Sequence, residues 1–241
     1  MNAPTVTCVM PTANRARFIP DAIDCFLSQS YSDSELLILD NGKEPISLHR
    51  PEKYKARYGY EPPVRYLKVS GYRTIGELRN LCCEEARGSV IAHWDDDDWS
   101  APERLTQQVG LLYRLMYERG ILVTGYHTFS YWDELTSRAF RYSHGSTTWC
   151  GGSSQCYFKE FWRNNPFKHV ADGEDTAFSI QAHIQGKLLS TDGSRILVAR
   201  QHGANTYARS LGNAHFPEIP KEQLPADFLD WVSCRASGEQ R

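Results

Sequence analysis

Short apolar runs alternate with helical stripes over the first hundred residues of the chain. Thr5 to Met10 is rich in strand formers and stops at Pro11, while Phe18, Ile19, Ala22, Ile23, Phe26 and Leu27 recur at helical spacing. Glu35 to Leu39 predicts a second strand, closed by the turn formers Asp40-Asn41-Gly42. Val64 to Val69 predicts a third, and Ile75, Leu78, Leu81, Cys82 and Ala86 mark a helix ending at Gly88. Val90 to Trp94 reads as a buried strand. Strands and helices alternating in this way indicate an α/β fold. Loops that follow parallel strands gather at one sheet edge, where open α/β folds bind ligands. Thr12 to Arg17, Asp40 to Gly42 and Asp95 to Asp98 are therefore expected to face one crevice.

Ser100-Ala101-Pro102-Glu103 has the pattern of a capping box, with proline early in the first turn. Leu105, Val109, Leu112 and Met116 predict the buried face of the helix that follows, and Gly120 its end. The second half is less regular. Ile121 to Tyr126, Thr128 to Trp132 and Arg138 to Tyr142 predict strands, including antiparallel pairs. Gly151 to Ser154 predicts a flexible turn before Gln155 to Phe158. Gly173-Glu174-Asp175 opens a helix carrying Ala177, Phe178, Ile180 and Ile184, and Arg195 to Ala199 predicts a late strand. From about Phe216, three prolines predict a tail that wraps the surface.

The four consecutive aspartates after the Val90 strand are the most telling chemistry. Adjacent carboxylates repel, so they are tolerated best where a cation or bulk water offsets them. In an extended chain Asp95 and Asp97 share a face, and hard oxygen donors of this kind suit Mg²⁺ or Mn²⁺, which can hold a diphosphate. A solvated acidic turn leading into the next helix is the plain alternative. Asp40 is on its own a turn former, and Asp175 on its own a helix cap. Arg79 on its own could lie on a solvated helix face or pair with Glu77 or Glu84.

Composition narrows the picture a little. With 241 residues, 41% hydrophobic and 23% charged, the chain resembles an ordinary soluble globular protein. A net charge of −2 gives no global basic excess for nucleic acid. Seven scattered cysteines without a zinc-like pair point to reduced thiols in a cytoplasm. No stretch reaches the ~20 apolar residues of a membrane span, which leaves peripheral membrane attachment open. Phe228, Leu229, Trp231 and Val232 would close the core or form a homo-oligomer.

Taken together the motifs resemble family 2 glycosyltransferases of the GT-A fold. Val9-Met10-Pro11-Thr12-Ala13-Asn14-Arg15 is similar to that family's first strand and nucleotide loop. Leu39-Asp40-Asn41-Gly42 is similar to its second, with Asn41 in place of a commoner acid. Gly76-Glu77-Leu78-Arg79-Asn80 resembles the G-x-x-x-R-N helix. Asp95 to Asp98 followed by Pro102-Glu103-Arg104-Leu105 resembles the DXD segment and its trailing P-x-R-L. Glu174-Asp175 resembles the ED motif, and His202-Gly203-Ala204-Asn205-Thr206 a terminal H-G-x-N-[TS] segment.

The resemblance implies a Rossmann-like mixed sheet flanked by helices, with a smaller antiparallel acceptor-side portion. One domain would span residues 1–215, its nucleotide-binding half 1–100 and its acceptor-side half 101–215, before a tail at 216–241. It implies metal-dependent transfer of a sugar from a nucleotide diphosphate sugar, with inversion and with UDP-sugars favoured. Thr12, Ala13, Asn14, Arg15, Asp40, Arg79, Asn80, Asp95 and Asp96 would contact the nucleotide. Asp97, Asp95 and His202 would hold Mn²⁺ or Mg²⁺, with Asp98 in reserve. Asp175 would be the base, and Glu174 would bind acceptor hydroxyls or orient the site. Trp149, Gly151 and Gly152 would line the acceptor side. The acceptor could be a saccharide, lipid-linked sugar, protein, small molecule or modified nucleic acid. A nucleotidyltransferase of sugar-nucleotide synthesis is the rival enzyme, but the Pro11 to Arg17 loop lacks the glycines a triphosphate needs. A catalytically silent nucleotide-sugar binding module is the non-enzymatic alternative.

Overall fold

The computed structural model describes residues 5–46, 63–205 and 209–237, so Thr206 of the terminal motif lies outside the described residues. Four parallel strands form one half of the sheet: β1 (Val6–Thr12), β2 (Ser34–Asp40), β3 (Val64–Lys68) and β4 (Val90–His93), in the order β3-β2-β1-β4. All seven residues of β2 and all four of β4 are buried, because helices cover both faces. Val6, Cys8 and Met10 of β1 point to one face, against α1 (Ile19–Leu27) and α3 (Arg104–Arg119). Val9 and Ile91 point to the other, which Leu78 and Cys82 of α2 (Ile75–Glu85), Phe161 of α4 (Lys159–Asn164) and Phe178 of α5 (Glu174–Ile184) close.

Beyond β4 the sheet turns antiparallel through β8 (Cys156–Phe158), β6 (Val123–Asp133), β7 (Arg138–Ser143) and β11 (Glu218–Ile219). β6 also pairs in parallel with β9 (Leu188–Asp192) and β10 (Leu197–Gln201), and β10 pairs with the two-residue β5 (Trp99–Ser100). This is the expected mixed α/β sheet with an antiparallel second part.

Several local expectations are corrected. β1 runs through Pro11, which pairs with Leu39. Val9 O accepts from Trp94 N and Thr12 O from Asn41 N, so the Pro11 amide position faces the β4 side, past the last β1–β4 pair at Val9 and His93. No ladder bond is lost there. The two strands predicted on either side of His127 are one strand, with a register shift in its pairing to β9 between Tyr126 and Thr128. β9 and α4 are additions that the apolar pattern does not announce.

Ser100 does not cap a helix. It lies in β5, opposite Leu197, and α3 begins at Arg104 after Glu103, which makes no side-chain cap bond. A capping box does occur at α2, where Thr74 and Glu77 bond reciprocally. Leu115, not Met116, completes the buried face of α3, and Gly120 ends that helix as expected.

The tail does more than wrap the surface: residues 220–223 are exposed, while Leu224, Pro225 and Phe228 are buried. It forms α6 (Ala226–Ser237), and Phe228 is fully buried with its ring 5.6 Å from Trp99 and 6.0 Å from Trp132. Arg235 pairs with Asp21 of α1 and lies over Trp231. Among the described residues no helix is long and apolar enough to cross a membrane.

Candidate active site

Three segments that are distant in sequence meet at the end of β4. The chain bends at Asp96 and Asp97 rather than staying extended. Asp96 and Asp97 both meet Arg15 from the loop after β1, with Arg15 Nη1 3.2 Å from Asp96 Oδ1 and Nη2 bonded to Asp97 Oδ2. Thr12 donates to Asp96 Oδ2 at 2.5 Å. From the loop after β10, His202 Nε2 lies 3.1 Å and Asn205 Nδ2 3.3 Å from Asp97 Oδ2. His202 stacks on Phe18, with ring centroids 4.3 Å apart.

Charge within this cluster is unevenly compensated. Burial pushes Asp96 up to about 7, against the pull of Arg15. Burial also raises Asp95 and raises Asp98 strongly, and the charge of Asp97 adds to both. Burial acts on Asp97 as well. There the His202 hydrogen bond and the Arg15 charge outweigh it, so Asp97 titrates below the usual range. Three of the four acids are thus short of positive charge, and that deficit fits a divalent cation.

His202 fits that ion less well. Its Nδ1 accepts from Ala204 N at 3.1 Å, so the ring proton sits on Nε2 and is directed at Asp97. In that tautomer Nε2 is a donor, not a ligand. Among the described residues no group of three or more His, Cys, Asp or Glu side chains is already arranged around a metal position.

The rest of the nucleotide loop is looser. Ala13 is half-buried, and Asn14 is exposed in the left-handed region (φ 58°), its Oδ1 accepting from Lys43 N at 2.8 Å. Asp40 is fully buried. Its Oδ1 accepts from Gly42 N at 2.7 Å and its Oδ2 from Tyr66 OH at 2.7 Å. Its carboxylate builds the turn after β2, as its turn-former reading predicts, and it has no exposed surface for a nucleotide.

The G-x-x-x-R-N segment also differs from expectation. Arg79 meets neither Glu77 nor Glu84: its Nε donates to Glu174 Oε1 at 2.8 Å, and both residues are buried. Asn80 Oδ1 accepts from Trp162 Nε1 at 2.8 Å and from Phe167 N at 2.9 Å, while its Nδ2 donates to Phe167 O. Asn80 therefore fastens the chain that leads into α5. Glu174 is held through Oε1 by Arg79.

Asp175 is half-buried in the first turn of α5. It does not cap that helix, because Gly173 holds the N-cap position (φ 77°). Its Oδ1 accepts from Thr176 N at 2.6 Å, and its backbone carbonyl accepts from Gln155 Nε2 at 2.8 Å. Gly152 packs directly on it: a β-carbon at 152 would lie 2.7 Å from Asp175 Cγ. Gly151 donates to Tyr126 O at 2.9 Å, and Trp149 is half-buried in edge contact with Tyr142.

Two supports escape the sequence reading. Arg104 of the P-x-R-L segment is buried and donates through Nη2 to His93 O (2.8 Å) and Ser153 O (2.7 Å), tying the end of β4 to the Gly152 turn. His93 lies 2.7 Å from Gly152 O through Nδ1. Burial, then the Arg79 charge, holds its ring well below the ordinary imidazole range and so neutral. The cysteines take no part. Burial pushes Cys25, Cys83, Cys150 and Cys156 up to about 12, which keeps these thiols protonated.

Known proteins share this architecture. The mannosyltransferase PcManGT from Pyrobaculum calidifontis, in complex with GDP-Man and Mn²⁺, superposes with a TM-score of 0.59 at 14% identity, over 83% of this chain and 57% of that one. S. aureus TarS 1-349 in complex with UDP-GlcNAc gives 0.57 at 13% identity, over 85% and 60%. The shared fold is the GT-A arrangement. EpsE of Bacillus subtilis (strain 168), which carries a glycosyltransferase name, is 31% identical over 111 residues, 46% of this chain and 39% of its own length. The chain spans less than half the length of the curated relatives it matches. Residues 7–160, more than half of the chain, match the family described as Glycosyl transferase family 2, and the chain belongs to that family.

Proposed function

We propose that the chain transfers a sugar from a nucleoside diphosphate sugar to an acceptor hydroxyl, with inversion at the anomeric carbon and with a divalent cation. The observation that carries this reading is the acid cluster after β4, where Asp96 and Asp97 are buried against Arg15 and His202 and Asp95 and Asp98 are half-buried beside them. Asp97 and Asp95 would hold Mn²⁺ or Mg²⁺, with Asp98 in reserve. The presence of Mn²⁺ with GDP-Man in PcManGT supports that choice. When bound, such an ion neutralises charge on the departing nucleoside diphosphate. His202 would act first as the residue that orients Asp97; to ligate, it would have to move its proton to Nδ1 and give up the Ala204 bond.

Thr12, Ala13, Asn14 and Arg15 form the loop that would receive the nucleotide, beside Asp96. Asp175 would accept the proton of the attacking hydroxyl. Trp149, Gly151 and Gly152 would border the acceptor. Neighbours with TM-scores of 0.59 and 0.57 are described with GDP-Man and UDP-GlcNAc; UDP-sugars, favoured by the family resemblance, come first for testing and GDP-sugars directly after.

The test is release of nucleoside diphosphate from UDP-N-acetylglucosamine and from GDP-mannose with Mn²⁺. Wild type is expected to release it slowly with water as acceptor. Asp175→Asn is expected to bind the donor normally and release nothing measurable. Wild-type rates in Asp175→Asn would remove the base assignment.

A further inference from the structure

The G-E-L-R-N segment of α2 lies beside the nucleotide half yet attaches to the other half of the molecule. Gly76 packs so closely that a β-carbon would lie 2.9 Å from the Lys168 carbonyl carbon, and Gly76 N donates to Val170 O at 3.3 Å. Asn80 fastens Trp162 and Phe167. Arg79 sits between these two anchors and reaches furthest, to Glu174 at the start of α5.

We propose that Arg79 is a positioning residue for transfer: it fixes the first turn of α5, and with it the Asp175 carboxylate, against the Gly152 turn. The proposal rests on reading Asp175 as the base. Two routes of contact lead from Arg79 to that carboxylate. Its Nε donates to Glu174, the residue directly before Asp175. Its Nη1 lies 2.9 Å from His93 Nδ1, which lies 2.7 Å from Gly152 O, and Gly152 packs against Asp175. His93 Nδ1 carries one proton or none, so it either donates to Gly152 or accepts from Arg79, and Nε2 takes the complementary role with the Tyr157 hydroxyl 3.1 Å away. In a given tautomer only one of the two Nδ1 contacts is a hydrogen bond, and the other is held by packing of the buried ring between the guanidinium and the turn.

Physical cost argues for a specific purpose. A buried ion pair seldom outperforms apolar packing of similar volume, because both charges must leave water. An apolar pair would hold α2 to α5 as firmly. What a guanidinium adds is direction, since its planar fork fixes the angle of each partner. Burial works against the Arg79 charge, but Asp95, Glu174 and Asp175 together keep it firmly charged, so the same group faces acids of both halves of the site.

Four variants test this: Arg79→Met, Arg79→Lys, Glu174→Gln and the apolar double variant Arg79→Met/Glu174→Met, with UDP-N-acetylglucosamine and GDP-mannose as donors. Arg79→Met and Glu174→Gln are expected to bind UDP or GDP with Mn²⁺ within twofold of wild type, while nucleoside diphosphate release falls about a hundredfold. Arg79→Lys should recover part of the rate. Azide attacks carbon without giving up a proton, so it should raise turnover at least tenfold in Arg79→Met, as it should in Asp175→Asn. The double variant should regain the melting temperature but not the rate.

Nucleotide affinity that falls in step with turnover would overturn the proposal, because Arg79 would then touch the donor. So would azide rescue confined to Asp175→Asn, or full turnover in the double variant. If wild type turns over neither donor, the proposed transfer from these two donors fails by itself. Amide hydrogen exchange then still decides the positional claim: Glu174→Gln should speed exchange at Asp175, Thr176 and Gly151 to Ser154, and unchanged exchange there contradicts it.

Discussion

Gly152 and Asp175 approach so closely that any side chain at 152 would overlap the Asp175 carboxylate. Gly152→Ala should therefore push that carboxylate aside. The obstruction is the end of a side chain, so folding should survive with a loss of about 1 kcal/mol, while transfer falls about a hundredfold because a displacement near 1 Å suffices for that. Melting temperature and donor turnover measured on the same sample check both halves. Equal activity in the variant would mean that Asp175 has no fixed place.

Asp97 Oδ2 draws Arg15, His202 and Asn205 together, so its removal leaves three donors without a shared acceptor. Asp97→Ala should lose Mn²⁺-dependent nucleotide affinity by at least tenfold. His202→Gln should weaken it less, since its neutral Nε2–H supports Asp97 rather than an ion. Titration of Mn²⁺ against each variant separates the two.

Asp96 gives a pH prediction with a definite sign. Its folded value of about 7 lies above the ordinary 3.8. Its contribution to stability is therefore fully present below about pH 4 and lost as pH rises to about 7. Asp96→Asn should remove that dependence, so the variant gains on the metal-free wild type by on the order of a few kcal/mol across that window. Denaturant unfolding of both proteins at pH 5 and pH 7.5 measures the gain. A constant difference between them would show that Asp96 is not the group responsible.

Phe228 anchors the C-terminal helix between Trp99 and Trp132. Phe228→Ala should cost about 3–5 kcal/mol through the cavity it leaves. Thermal unfolding gives the answer, and a cost near zero would return residues 226–237 to the role of a surface wrap.

What could be read from the residues alone was set by short-range order. The strands of the first half, the stripe of α1 and the stop at Gly120 follow from patterns within a dozen residues. The placement of Asp95 to Asp98 at a strand end and of Glu174-Asp175 at a helix start is equally local. Errors arise where the deciding partner is remote. Ser100-Ala101-Pro102-Glu103 satisfies the rules of a cap, yet Ser100 pairs with Leu197, almost a hundred residues away. The Arg79 bond to Glu174 and the Asn80 bonds to Trp162 and Phe167 likewise join residues some eighty or more positions apart, beyond the reach of any local pattern. The Thr74 and Glu77 box at the start of α2 is a local signal that the spacing of apolar residues does not reveal.

The central claim is a metal-assisted nucleotide site at the end of β4. Calorimetric titration of UDP, GDP, CDP and dTDP into the protein, with Mn²⁺ and again with EDTA, tests it most directly. Binding of one nucleotide that appears with Mn²⁺, disappears with EDTA and is lost in Asp97→Ala is the predicted result. Binding that is equal with Mn²⁺ and EDTA, or absent for all four, would contradict the account and leave Asp95 to Asp98 as an acidic bend.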